Sequence, residues 1–407
     1  MTTLKNTPRS AQDGAVRSSV VTALNQVLPV VSEHKRDVDA SGSFPTQAVQ
    51  ALRETGLMGL VVPADRGGMG GNLKDVSFVA RALAGECMTT AVLWSMHCQQ
   101  VLTVAVHGGD LLRERVLPAI ARGEKYVGSI TTERGSGGHV LHADAPLLRP
   151  ENGDSGGFRL RRDAPVSSGA LHADAFLITM RAGEEASPDQ VRLVWAERSD
   201  VEVVQRSVWD PMGMRGTESV GVQLDGTVDA DAVIDGDFRA VALQTFIPAG
   251  HVAWASSWLG AAQGALRRAV DIFRDPKQRA QYEVTSDRFA VRLARIRLEL
   301  DMTEAFLDRT LGDLEEFCGP NASRDVSEPA FQIELNNLKV VAAERTFAAV
   351  NELIELVGLR HGYLNSSPTR LEQVARDLRS ASLMYADERL LLANGKLALL
   401  DRNSTLP

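Results

Sequence analysis

The residues of this chain best suited to chemistry gather in a few short segments. Thr131-Thr132-Glu133-Arg134-Gly135-Ser136-Gly137-Gly138 is dense in hydroxyls and small residues. Short hydroxyls and bare backbone N–H groups can approach a bound ring or phosphate closely there. Taken alone, the octapeptide reads as readily as a Gly-rich turn. Trp209 with Met212-Gly213-Met214-Arg215-Gly216-Thr217-Glu218-Ser219 forms a second such cluster, and Val166-Ser167-Ser168-Gly169 a third. The histidines show no HxxxH or HExxH spacing, so no metal site is expected. Cys87, Cys98 and Cys318 form no CxxC pair and are too few for a disulfide scaffold, which points to a reducing, cytoplasmic compartment. With 44 Lys+Arg against 52 Asp+Glu the net charge is -8, which argues against a nucleic-acid partner needing a basic face.

Three regions must position these segments. Residues 1–125 read as helical. Val49, Leu52, Leu57 and Leu60 recur at helical spacing, Gly67-Gly68-Met69-Gly70-Gly71 must be a loop, and Val76 to Val104 reads as one long apolar helix. Over 126–240 the period changes to two. Phe176 to Thr179, Val191 to Trp195, Val201 to Val204 and Val220 to Leu224 are short β-branched runs, the pattern of a small sandwich or barrel. Residues 241–407 are helical again. Phe289, Leu293, Ile296, Leu300, Leu307, Leu311 and Leu314 form one apolar stripe, and Leu335, Leu338, Ala342, Ala349, Leu353 and Leu356 another. With a helix starting at His251 and one from Thr369, this makes an antiparallel four-helix bundle. The stretch His251 to Leu266 is too short and too polar for a membrane span, which needs ~20 apolar residues, and Met1 to Val20 lacks an apolar export segment.

In this order the motifs resemble those of the acyl-CoA dehydrogenase superfamily of flavoproteins over nearly the whole chain. Leu57 to Pro63 with Gly67 to Gly71, Leu117-Pro118 with Arg122-Gly123-Glu124, Thr131 to Gly138, Trp209 with Met212 to Ser219, and Arg376-Asp377 each look like one of the family's motifs. The resemblance implies an α+β fold: an N-terminal helical domain, a central β-barrel or sandwich and a C-terminal four-helix bundle. It implies FAD, held by Thr131, Thr132, Gly137 and Gly138 and flanked by Val166 and Ser168. Val166 stands where the family has a Trp against the flavin, and Ser168 retains the hydroxyl of the family's Thr. Arg274 is expected toward a pyrophosphate, and Gly358 and Gly362 toward the adenosine end of FAD. Read alone, Arg274 is an ordinary surface residue and the two glycines are helix C-caps. A homodimer or homotetramer is implied as well.

The departures bear most on function. The family's general base is a Glu nine residues after the Arg of its Arg-Asp pair. Here that position is Tyr385. The family's other location for the Glu matches Gly250, beside His251. A phenol with a pKa near ~10 is a poor base. Glu388 substitutes only if the pairing slips by a turn, since two or three helical residues rotate a side chain by ~200–300°. Asp387 and Glu388 also read as a solvated helix face. Tyr385, His251 and Glu388 are therefore the catalytic candidates, and Asp387 joins the cofactor contacts.

Three functions fit. The first placed is dehydrogenation of an acyl thioester, on CoA or on an acyl or peptidyl carrier protein, with a separate electron acceptor, as in divergent natural-product members of the family. Arg159, Arg161 and Arg162 offer a patch for such a carrier. The second is a flavin-dependent monooxygenase, using FAD or FMN reduced by a partner reductase and needing no α-proton base. The third, a non-catalytic relative, is opposed by the retained Thr131, Thr132, Gly137, Ser168 and Arg215.

Overall fold

The computed structural model describes residues 11–134, 140–149, 156–318 and 324–401. Among the described residues five helices come first: α1 (Ala11–Ser41), α2 (Thr46–Glu54), α3 (Leu73–Glu86), α4 (Met88–His107) and α5 (Asp110–Ala121). The long apolar run expected as one helix is thus two. Cys87 lies between them with φ -147 and ψ 109, an extended geometry that turns the chain between α3 and α4. The start of α3 is fixed by a capping box: the Asn72 side chain accepts from Lys74 and Asp75 N–H, and the Asp75 carboxylate accepts from Asn72 N–H. Nearly every face of α4 is buried, which its apolar sequence allows only inside the fold.

Among the described residues seven strands follow: β1 (Val127–Ile130), β2 (Gly157–Ser167), β3 (Ala175–Arg181), β4 (Val191–Glu197), β5 (Val201–Gln205), β6 (Val220–Asp229) and β7 (Val233–Ile234). They form two sheets, β1-β3-β4-β7 and β2-β6-β5. β1 and β3 run parallel, with Val127 opposite Ala175, while β3–β4 and all pairs of the second sheet are antiparallel. β2 carries too many arginines to show as an apolar run. Its alternation sends Arg159 and Arg161 outward to Asp225 and Arg162 inward. The expected three-arginine carrier patch therefore does not exist as such: Arg162 is fully buried and pairs with Glu133 at 2.5 Å.

The last region is helical: α6 (Phe238–Val241), a π-helical turn at Ala242–Phe246, then α7 (Ile247–Arg274), α8 (Asp287–Cys318), α9 (Pro329–Gly362), α10 (Leu371–Leu378) and α11 (Asp387–Ala398). The two apolar stripes read in the sequence face the core of α8 and α9, with Leu300, Leu307, Leu335 and Leu338 essentially inaccessible. α7 packs on α3, α4 and α9, joining the bundle to the N-terminal helices. Two expectations change here. His251 lies a turn inside α7, not at its start. The fourth bundle helix is broken between α10 and α11, and Tyr385 sits in that break with φ 52. Among the described residues no helix is long and apolar enough to cross a membrane, and no group of His, Cys, Asp or Glu is placed to hold a metal.

Candidate active site

A cavity of about 590 Å³ opens where the β-region, α4, α7 and the 376–389 segment meet. That volume lies in the range of small-molecule and cofactor sites. Thr131, Thr132, Val166 and Ser168 line its β side, with Trp209 and Met212 to Met214; Gln99, Gly250, His251 and Trp254 line the helical side; Arg379, Tyr385 and Arg389 line the third. Among the described residues, no Asp or Glu lines it.

Two motifs interlock to hold the β side. The Asp377 carboxylate accepts from Met214 N–H at 2.6 Å, and Arg376 clasps Asp39 at 2.6 and 3.0 Å and Met212 O at 2.9 Å. The turn at Gly213 presses so closely on the Arg376 carbonyl that a Cβ there would overlap it. Burial pushes the Asp377 carboxyl up to about 7, against the pull of the Met214 N–H. Glu133 anchors the strand end beside Thr131 and Thr132, accepting from Asp144 N–H at 2.7 Å and Ala145 N–H at 2.9 Å besides holding Arg162.

The hydroxyls of the cavity have a direction. Thr217 Oγ1 donates to Met214 O at 2.8 Å, so it accepts from Ser219 at 2.8 Å, and Ser219 accepts from Ser168 at 2.7 Å. Each hydroxyl has one proton, so Ser168 presents its oxygen to the cavity as an acceptor. Thr132 Oγ1 likewise spends its proton on Val166 O at 2.7 Å.

On the helical side, Gln99 Nε2 donates at 2.7 Å to the carbonyl of Phe246, the residue that ends the π-helical turn. Gln99 thereby occupies the space beside Gly250: a Cβ on Gly250 would lie 2.6 Å from Gln99 Nε2. His251 is buried, and burial brings its pKa down to about 4, so the imidazole is neutral. Its Nδ1 donates to Leu335 O at 3.0 Å, which fixes the tautomer and leaves Nε2 as an acceptor lining the cavity. The His251 and Tyr385 rings are 6.3 Å apart. Burial pushes the Tyr385 phenol up, with Arg389 pulling the other way, so the hydroxyl keeps its proton.

The segment bearing Tyr385 is clamped from below. Lys339, on α9, is fully buried and donates to Ala381 O at 2.8 Å and to Asp387 Oδ1 at 2.5 Å. Burial lowers the Lys339 pKa and raises that of Asp387, while the pairing opposes both shifts.

The structure thus brings Thr131, Thr132, Val166, Ser168, His251 and Tyr385 to one cavity. It does not bring Arg274, Gly358, Gly362, Asp387 or Glu388 there. Asp387 is occupied by Lys339, and Glu388 is exposed, the solvated position weighed in the sequence. Arg274 is an exposed residue ending α7. Gly358 takes φ 70 within α9 and Gly362 ends that helix. Gly137 and Gly138 lie outside the described residues. Sequence reasoning missed Gln99, Lys339 and the arginines 379 and 389. Two polar side chains on otherwise apolar helix faces were the available signal for the first two.

The cavity suits a flavin. Val166, Trp209 and Met212 offer apolar surface for a flat ring, and Ser168 offers an acceptor for a ring N–H. The chain matches the sequence family described as acyl-CoA dehydrogenase, N-terminal domain, over residues 12–124, and acyl-CoA dehydrogenase, C-terminal domain, over residues 240–385. It is 26% identical to the amino sugar nitrososynthase DnmZ of Streptomyces peucetius, over 89% of this chain and 88% of that protein. It is 22% identical to the mitochondrial isobutyryl-CoA dehydrogenase of Dictyostelium discoideum, over 87% and 81%. The FMN-bound structure of TdsC from a Paenibacillus species superposes with a TM-score of 0.82 at 18% identity, over 95% of this chain and 98% of that one.

Proposed function

The chain belongs to the acyl-CoA dehydrogenase family and is a flavin-dependent oxidoreductase, and from that premise we propose that it is a monooxygenase rather than an acyl-thioester dehydrogenase. One observation carries the reading: among the described residues the cavity holds no carboxylate, with a phenol at one expected position of the base and a glycine backed by Gln99 at the other. Removing an α-proton from a thioester requires a placed base of suitable pKa. Oxygen insertion does not. The order of the two functions read from the sequence is therefore reversed. The likeness to a nitrososynthase supports the same choice.

Bound in the cavity, FAD or FMN supplies the two-electron chemistry, with a separate reductase delivering it reduced. The chain's own residues orient and protect. Ser168 accepts from a ring N–H. His251 Nε2 accepts from an N–H or O–H of the substrate and, being neutral, can take its proton. Tyr385, which keeps its proton, would donate from its own wall of the cavity. The apolar walls exclude water. Assembly as a homodimer or homotetramer, as the family resemblance implies, belongs to this proposal.

The test is anaerobic first. Flavin-loaded protein is mixed with a panel of acyl thioesters, and no bleaching of the oxidised flavin is expected. The flavin is then photoreduced and oxygen is admitted with amino-sugar or aromatic heterocycle substrates, and an oxygenated product is expected without any thioester. Bleaching by a thioester at turnover rates would overturn the proposal. The neutral His251 with a free Nε2 favours a second reading, dehydrogenation with His251 as base, whose mark is bleaching that disappears in His251→Phe.

A further inference from the structure

Tyr385 stands where the family keeps a carboxylate, and the charges beside it have the opposite sign. Arg379 and Arg389 lie on either side of it in sequence and line the same cavity. A third lining guanidinium, Arg376, is neutralised by its two bonds to Asp39. Arg379 and Arg389 have no carboxylate within salt-bridge distance among the described residues. Arg379 is nonetheless held in place, donating to Ser382 Oγ at 2.8 Å and lying 5.8 Å from the Phe347 ring. The Tyr385 hydroxyl makes no hydrogen bond to the described protein. One held cation, Arg379, a second, Arg389, and the Tyr385 hydroxyl therefore line a cavity with no carboxylate among its described residues.

Such a cavity attracts an anion. Its apolar walls lower the local dielectric and strengthen charge–charge attraction. The planar fork of arginine matches a carboxylate or phosphate with paired hydrogen bonds. We infer that the substrate of this enzyme carries an oxyanion, a carboxylate or phosphate, which docks between Arg379 and Arg389 with the Tyr385 hydroxyl as third donor. Loss of the family's Glu is then one change with the gain of an anion receptor: a carboxylate at position 385 would repel the ligand. The inference rests on reading this cavity as the flavin-and-substrate site, and not on the choice between oxygenation and dehydrogenation.

The same oxyanion chemistry exists on the phosphate of the flavin, and the experiment separates the two. Protein loaded with riboflavin and, separately, with FMN is titrated with benzoate and with inorganic pyrophosphate. Binding is read from the fluorescence of the flavin and of Trp209 and Trp254, which line the cavity. At least one anion is expected to bind saturably to both loaded forms. Arg379→Gln and Arg389→Gln are each expected to weaken it at least about tenfold, with Arg→Lys variants intermediate, while affinities for FMN and riboflavin stay within about twofold. Both side chains are exposed, so the variants should fold, which circular dichroism and thermal melts verify. Anion binding unchanged in both Gln variants overturns the inference. So does a loss of FMN affinity in the variants that riboflavin does not share, since the arginines then hold the cofactor. Neither readout involves oxygen or thioester chemistry, so the outcome is independent of the test of oxygenation.

Discussion

Lys339→Met should damage this protein more than most substitutions, and in a way that depends on pH. The Lys339 ammonium, fully buried, closes the 381–387 turn at both ends, through Ala381 O at 2.8 Å and Asp387 Oδ1 at 2.5 Å. Methionine replaces the stem but strands the Asp387 carboxylate, whose side chain is 10% exposed. Removing one member of a buried ion pair costs about 3–5 kcal/mol. Protonation of Asp387 can relieve part of that cost. Burial already raises its pKa, Lys339 is the group holding it down, and without Lys339 it rises further. A carboxyl whose folded pKa is above its unfolded value binds its proton more tightly when folded, so stability is greatest at low pH and is lost as pH rises through the raised value. The loss in Lys339→Met should therefore be small near about pH 5 and several-fold larger near about pH 8. The double variant Lys339→Met, Asp387→Leu removes both charges and should regain most of it, because an apolar pair of similar volume often replaces a buried ion pair without loss. Urea midpoints and melting temperatures of wild type, both single variants and the double variant, at both pH values, give the coupling. The reasoning fails if Lys339→Met loses less than about 1 kcal/mol at neutral pH, or if the double variant is no more stable than the single.

Three further outcomes follow from the same geometry. Tyr385→Phe should lower turnover at least about tenfold with flavin affinity unchanged, because it removes the donor and keeps the ring; wild-type rates would show that Tyr385 only packs. Gly213→Ala should cost about 2–4 kcal/mol, because its Cβ meets the Arg376 backbone carbonyl and neither chain can yield freely; an unchanged melting temperature would contradict the interlock. Asp377, held up to about 7, contributes stability that falls as pH rises from about 4 to about 7 and is level above, since the folded state binds the extra proton. Asp377→Asn keeps an acceptor for Met214 N–H and should flatten that slope, by about 1.4 kcal/mol for each unit of pKa shift; a slope unchanged from wild type would mean another group is responsible.

Much of the scaffold was legible because burial writes itself into periodicity. The stripes on α8 and α9 could be read from leucines alone, and they face the core. The breaks were not legible. Cys87 is no helix breaker by type, and it turns the chain because α3 and α4 each pack elsewhere. The gap between α10 and α11 contains no Pro or Gly; it is held by Lys339, some forty residues away in sequence, which no local pattern reveals. β2 escaped for a related reason: its inward Arg162 is polar yet fully buried, tolerated because Glu133 neutralises it. In the site, Thr131 and Ser168, recognised by motif, and Tyr385, placed by offset from Arg376, do line the cavity, whereas Glu388, Arg274 and Gly358 do not.

The missing carboxylate is therefore not an isolated substitution. At position 250 a side chain would displace the amide of Gln99, since even a Cβ would come within 2.6 Å of its nitrogen. Gln99 in turn is held where it is by its hydrogen bond to the Phe246 carbonyl. Moving Gln99 aside to admit a glutamate would break that bond. At position 385 a carboxylate would share the cavity wall with Arg379 and Arg389 and offset their charge. Each location where the family places its base is thus built into a different arrangement, around Gln99 on one wall and around two arginines on the other. A carboxylate introduced at either position would therefore have to rearrange a neighbour or offset a charge of its own.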